Sequence, residues 1–285
     1  MRAYAGVAVL LCAVLWPLTG AADTAPPAAG TELHWKSGPL SIPLADQAVL
    51  DLPAGFVFLD ADQTKRALRS AGHKEVDGVL GLISENPDAD WSVFLEYNDS
   101  GYVKDDDARN WDADAMLKAM QQGTEEVNER RKEKNLPPLL VTGWAEKPHY
   151  DSASNKVLWA VTGRSADHEF VNFNTLSLGR HGYISMNLVT GLQELPQRKP
   201  YVETLLKQLR FVEGKRYADF NSATDKVAAV GLAALVAGVA AKTGLLGKLA
   251  GLLGPLLILL KKLGVVIAAA VIALYRTLTG KKKPS

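Results

Sequence analysis

A chain of 285 residues, 47% apolar and 22% charged, carries enough apolar material for one sizeable core. Its net charge of +1 conceals an asymmetry: no acidic residue follows Asp225, and all 31 acidic residues lie between Asp23 and Asp225. That body is about nine charges negative, which excludes nucleic acid as its expected partner. The single cysteine, Cys12, lies in the first apolar run, so a chain without its leader has no disulfide, thiol chemistry or cysteine metal site.

Residues 1–22 read as a secretory signal: Arg2, an apolar stretch from Ala5 to Trp16, then Pro17 and the small residues Gly20, Ala21 and Ala22. An uncleaved anchor is the alternative. Leu11, before Cys12, stands where a lipoprotein signal wants a small residue. Residues 23–31, with Pro26 and Pro27, form a linker. In the domain expected over 32–221, "AVLDLPAGFVFLD" holds two strand-like pieces around Pro53 and Gly55, and a helix follows from about Asp62 to a stop at Gly72. "DGVLGLI" and "WSVFLEY" read as paired strands, with Trp91, Val93, Leu95 and Tyr97 on one face of the second.

Asp112 is expected to cap a helix in which Met116, Leu117 and Met120 recur at helical spacing. Gly123 is its weak point, before a charged run that reads as a solvated face. "LLVTGW", "KVLWAVTGR", "EFVNFNTLSLGR" and "GYISMNLVT" predict an antiparallel meander, with residues 179–182 as a tight hairpin. Pro200 is expected to open a further helix through Leu209.

The tail, residues 222–285, reads as a membrane anchor. Its first run, Val227 to Ala241, is uncharged, takes Thr224 and Asp225 as a helix start, and barely reaches across a bilayer core. Ala229, Ala233, Ala237 and Ala241 repeat every fourth residue, either as a ladder for helix–helix self-association or simply as alanines common in a helix. The second run, Leu245 to Leu260, contains Lys248 and Pro255 and fits the interface as well as the core. The third, Leu263 to Tyr275, is short. Lys281, Lys282 and Lys283 belong on the cytoplasmic side, so an exported domain requires one or three crossings.

The stretch from Glu96 through Asp99, Asp105, Asp106 and Asp107 imitates a calcium loop but has Lys104 at the ninth place and a strand before it. Turn formation and helix capping are the favoured reading, and no metal or cofactor is expected. His149 and Asp151 bring a base and a carboxylate close in sequence, without a geometry for acid–base chemistry. Trp91 and Trp159 read as core, Trp111 and Trp144 as surface candidates. Asn172 and Asn174 alternate with Val171 and Phe173, which predicts an amide-lined strand face, either exposed or lining a polar groove. No phosphate loop, nucleophile elbow or HExxH is present.

At "LPAGFVFLDA", "EYNDSGYVKDDDARNWDAD", "GTEEVNERR", "GWAEKPHYD", "GRHGYISMNLV" and "RYADFNSATDKVAAVGLAALVAG" the chain resembles a bacterial family of predicted membrane-anchored proteins, domain of unknown function 2167. The resemblance implies a signal peptide, an extracytoplasmic domain and a C-terminal membrane segment, and it brings no catalytic residues. The order of strands and helices is also similar to the sheet-plus-helix domains of the photosystem protein PsbP class. The expectation is an α+β domain, an antiparallel sheet covered by two or three helices, followed by C-terminal transmembrane helices. It would stand outside the bacterial cytoplasmic membrane as a non-catalytic binding or scaffolding module contacting the lipid bilayer and an envelope protein. An envelope hydrolase using carboxylates is the alternative.

Overall fold

The structure is a computed structural model that describes residues 33–238, apart from 71–72, 74–75, 134 and 167. Its strands are Lys36–Ser37 (β1), Leu40–Leu44 (β2), Ala48–Leu52 (β3), Val57–Asp60 (β4), Val79–Ser84 (β5), Ser92–Asn98 (β6), Leu139–Asp151 (β7), Lys156–Ser165 (β8), His168–Leu178 (β9), Tyr183–Thr190 (β10) and Leu209–Phe211 (β11). The helices are Ala61–Ser70 (α1), Ala113–Glu133 (α2), Leu195–Gln208 (α3) and Leu232–Val236 (α4). An eight-stranded antiparallel sheet runs β1-β4-β5-β6-β10-β9-β8-β7, and a small sheet runs β11-β3-β2. The last four strands form the meander that the turn spacing predicts.

The period of two along each strand sends alternate residues to opposite faces, and the middle strands of the large sheet carry buried residues on both. Val93, Leu95, Val171, Phe173, Ile184, Met186 and Leu188 face the small sheet and α3, meeting Leu50, Leu52, Val202, Leu205 and Leu206. A second core lies on the other face, where Val157, Trp159, Val161, Leu176, Leu178 and Tyr183 meet Met116 and Met120 of α2 and Leu232, Leu235 and Val236 of α4. The cover is thus a small sheet as well as helices, an addition to the expected architecture. Strand β9 is buried on both faces over most of its length, as a central strand is.

Two local expectations are corrected. Helix α3 starts at Leu195 with Pro196 in its first turn, where a missing N–H costs nothing, and Pro200 lies inside the helix instead of opening it. Helix α2 continues unbroken through Gly123, as expected; Met116 and Met120 hold it against the sheet.

The tail helix expected from Thr224 and Asp225 does not begin there. Asp225 is held by Arg180, whose Nε and Nη2 donate to its two oxygens at 2.7 and 2.9 Å, and by the Asn221 N–H at 2.7 Å. The chain then runs extended beside Tyr102: the Tyr102 N–H donates to the Lys226 carbonyl, and the Ala228 N–H to the Tyr102 carbonyl, each at 2.8 Å. Those bonds satisfy backbone groups that a helix would otherwise use. Helix α4 spans Leu232–Val236 alone, and Leu232, Leu235 and Val236 are fully buried. Ala229 therefore precedes the helix, Ala233 and Ala237 already pack into the second core, and Ala241 lies outside the described residues. No described helix is long and apolar enough to cross a membrane. The leader, the linker and the second and third tail runs also lie outside the described residues.

Candidate functional site

Where β6, β10 and β9 lie side by side, their register aligns polar side chains into one strip on the face that carries the second core. Glu96 stands opposite Ser185, Asn98 opposite Tyr183 and Phe94 opposite Asn187. Asn187 stands opposite Asn174, and Val189 opposite Asn172. Directly opposed residues share a face, with Cβ atoms about 4.5–5.5 Å apart. Helix α1 packs on β4 and β5 at one side and α2 on β7 at the other. Exposure falls across the strip: Phe94 and Glu96 on β6 are half-buried, while Asn174 and Asn172 on β9 are 5% and 3% exposed.

The strip is short of hydrogen bonds. The Asn174 amide donates to the Asn172 backbone carbonyl at 3.0 Å, but the side-chain oxygens of Asn98 and Asn172 are buried without a hydrogen-bond partner. Burial alone raises the Glu96 carboxyl above its ordinary value. The Tyr183 phenol is also raised, first by burial and then by the charge of Glu96. An unpartnered buried acceptor typically costs about 1–3 kcal/mol, so such a cluster is maintained against a stability gradient. Asn172 and Asn174 were visible in sequence. Ser185 and Asn187 were not singled out, although they alternate with Ile184, Met186 and Leu188 in the same pattern, and only strand order shows that the two patterns share a face.

The acidic stretch does not converge. Asp105 accepts from the Tyr150 hydroxyl at 2.7 Å, and Asp107 accepts from the Ala233 N–H at 3.1 Å, at the start of α4. Burial, with Asp105 behind it, pushes the Tyr150 phenol up to about 12. Asp106 is exposed in a 3-10 turn, Asp106–Asn110, and Asp99 lies in the loop after β6, near Tyr97, whose phenol is raised chiefly by burial. Asp112 caps α2, accepting from the Ala115 N–H at 2.9 Å. His149 is exposed on β7, and Asp151 closes the turn that follows by accepting from the Ala153 N–H at 2.9 Å and the Ser154 hydroxyl at 2.5 Å. No group of three or more His, Cys, Asp or Glu suited to a metal ion occurs among the described residues.

Trp111 and Trp144, the surface candidates of the sequence, are half-buried, each with part of its ring packed on the second core. The Trp144 indole N–H donates to the Ala113 carbonyl at 3.1 Å, tying β7 to the start of α2. A surface depression of about 670 Å³ adjoins Trp111, which lines it with Asp112, Ala113, Asp114, Lys147 and Pro148. Lys147 and Asp114 stand 3.9 Å apart at its rim, both well exposed.

Fold and strip together define an α+β protein whose central sheet carries a polar array on the face of its second core. The chain belongs to the family described as protein of unknown function DUF2167, whose model matches residues 36–272. No curated protein matches it. Among solved structures it is distantly similar to the cyanobacterial PsbP protein, CyanoP, from Synechocystis sp. PCC 6803. The identity is 12%, the TM-score 0.36, and the match covers 67% of this chain and 99% of that one. It is also similar to PA94 of Pseudomonas aeruginosa, a protein of unknown function titled a putative regulator, at 13% identity and a TM-score of 0.23, covering 42% of this chain and 71% of that one.

Proposed function

We propose that the protein is a non-catalytic binding module of the bacterial envelope, its α+β domain outside the cytoplasmic membrane and its C-terminal runs in the bilayer. The observation that supports binding over hydrolysis is the polar strip. It gathers amides and a hydroxyl around one carboxylate, Glu96, with no second carboxylate or histidine among its register partners. Two-carboxylate hydrolysis needs a pair at a set separation, and Asp105, Asp107, Asp112 and Asp151 are engaged in bonds that build the fold. The membrane assignment rests on the apolar runs after Lys242 and on Lys281, Lys282 and Lys283.

Because residues through Val236 are built into the domain, the first run is not available as a span, and a single crossing is the odd number that remains. Reporter fusions after Lys242 and Ser285 test the topology; periplasmic activity at both positions contradicts it. Capture from solubilised membranes by the full chain tests the binding role, with a partner retained by the wild type and lost on Asn187→Leu as the expected result. Turnover of an envelope polymer, abolished by Glu96→Gln, would overturn it in favour of a hydrolase.

A further inference from the structure

We infer that the surface depression at the start of α2, lined by Trp111, Asp112, Ala113, Asp114, Lys147 and Pro148, binds a neutral saccharide, with a pyranose ring laid on Trp111 and its hydroxyls toward the polar rim. This is a second site, which shares no residue with the polar strip. Its volume, about 670 Å³, lies within the range of about 300–1,000 Å³ usual for small-ligand sites. Part of the Trp111 ring packs on the second core, which holds the ring in place. The indole N–H is buried, so whatever the ring presents to the depression is carbon. Pro148 adds a second apolar wall, and a pyranose has a C–H face to set against such a surface.

The polar groups around these walls are of both kinds. Asp112 and Asp114 offer acceptors and Lys147 offers donors, and the helix cap engages only one Asp112 oxygen, through the Ala115 N–H. The Ala113 and Asp114 N–H groups, in the first turn of a 21-residue helix, have no carbonyl of their own helix to bond. A hydroxyl both donates and accepts, so a row of hydroxyls meets all of these at once. The charges nearly cancel, because two carboxylates stand against one ammonium and the positive end of α2, equivalent to roughly half a charge. An anion would meet Asp112 and Asp114, and a cation would meet Lys147 and the helix start. A wholly apolar ligand would strip water from three charged side chains. Asp114 and Lys147 stand 3.9 Å apart with side chains 89% and 68% exposed, so a ligand reaches them without breaking a firm ion pair.

The experiment is calorimetric titration of the purified full chain, in a detergent without a sugar headgroup, with two neutral tetrasaccharides, one of β-1,4-linked glucose and one of β-1,4-linked N-acetylglucosamine. Sorbitol, which has the hydroxyls without the ring face, inorganic phosphate and a four-carbon diamine are the controls. Binding of at least one tetrasaccharide, weakened at least about tenfold by Trp111→Ala while the controls stay silent, is the expected result; a tenfold loss corresponds to about 1.4 kcal/mol. Asp114→Asn and Lys147→Ala change well-exposed side chains and keep the test valid should Trp111→Ala fold poorly. Each is expected to weaken the saccharide several-fold. Silence toward both tetrasaccharides, sorbitol bound as tightly as the saccharide, phosphate or diamine bound in its place, or saccharide binding unchanged in all three variants overturns the inference. The strip is tested separately, by the partner captured by the wild type and lost on Asn187→Leu.

Discussion

Glu96 and Asp225 are carboxylates in opposite situations, and pH separates them. Burial raises the folded-state value of Glu96, so the folded protein takes up a proton there before the unfolded chain does. Its neutral form is tolerated, and the penalty of its charged form appears as pH rises through that raised value. Glu96→Gln is therefore expected to raise the melting temperature near pH 7 in the absence of ligand, with the gain fading as pH falls toward the ordinary carboxylate range near about 4. Scanning calorimetry of both proteins across pH checks this; a variant less stable at neutral pH contradicts it.

Asp225 runs the other way. The Arg180 side chain bonded to it holds its carboxyl well below the ordinary range, so its contribution is present above the unfolded-state value and is lost as pH falls toward the depressed folded value. The Asp225 side chain is 4% exposed. Arg180→Ala is expected to destabilise the protein at neutral pH by leaving that carboxylate without its cation, and the deficit should shrink in acid. Denaturant melts at neutral and acidic pH provide the measurement.

Among the elements, the segment from Asn221 to Val236 departs furthest from its sequence reading. Gly101 lets it dock: at φ +95° and with a Cβ position only 2.6 Å from the Lys226 carbonyl oxygen, this site has no room for a side chain. Gly101→Ala is expected to cost roughly 1–3 kcal/mol through backbone strain and displacement of the segment, read as a lower denaturant midpoint. Removing everything after Asn221 also deletes Leu232, Leu235 and Val236, all fully buried. At about 1.5–3 kcal/mol for each buried side chain, that loss approaches the whole stability of a typical domain. A chain ending at Asn221 should aggregate or melt without cooperativity, whereas one ending at Gly238 should fold; circular dichroism of the two decides.

At the scale of the molecule, one sheet serves two cores, because β8, β9 and β10 present apolar residues on both sides. The cores share strands and so should not melt apart. A single calorimetric transition is expected for the chain ending at Gly238, and two resolved transitions would show that the faces are independent. The polar strip interrupts the second face on the strands β6, β10 and β9 at the middle of the sheet.

The sequence by itself determined the meander, the α1 and α2 helices, the Asp112 cap and the core side of β6, because period, turn residues and capping are local properties of the chain. It also carried part of the strip, since Asn172 and Asn174 interrupt an apolar alternation in a way that needs no structure to see. Tertiary structure decided the rest. Whether Asn172 and Asn174 meet water or lie buried depends on which strands neighbour β9, and their union with Glu96, Ser185 and Asn187 depends on the order β6-β10-β9. The fate of the first tail run turned on partners far away in sequence. Arg180 holds Asp225 and Tyr102 pairs with Val227, so apolar residues that suit a bilayer are spent in a protein core, and hydrophobicity alone does not distinguish the two solvents.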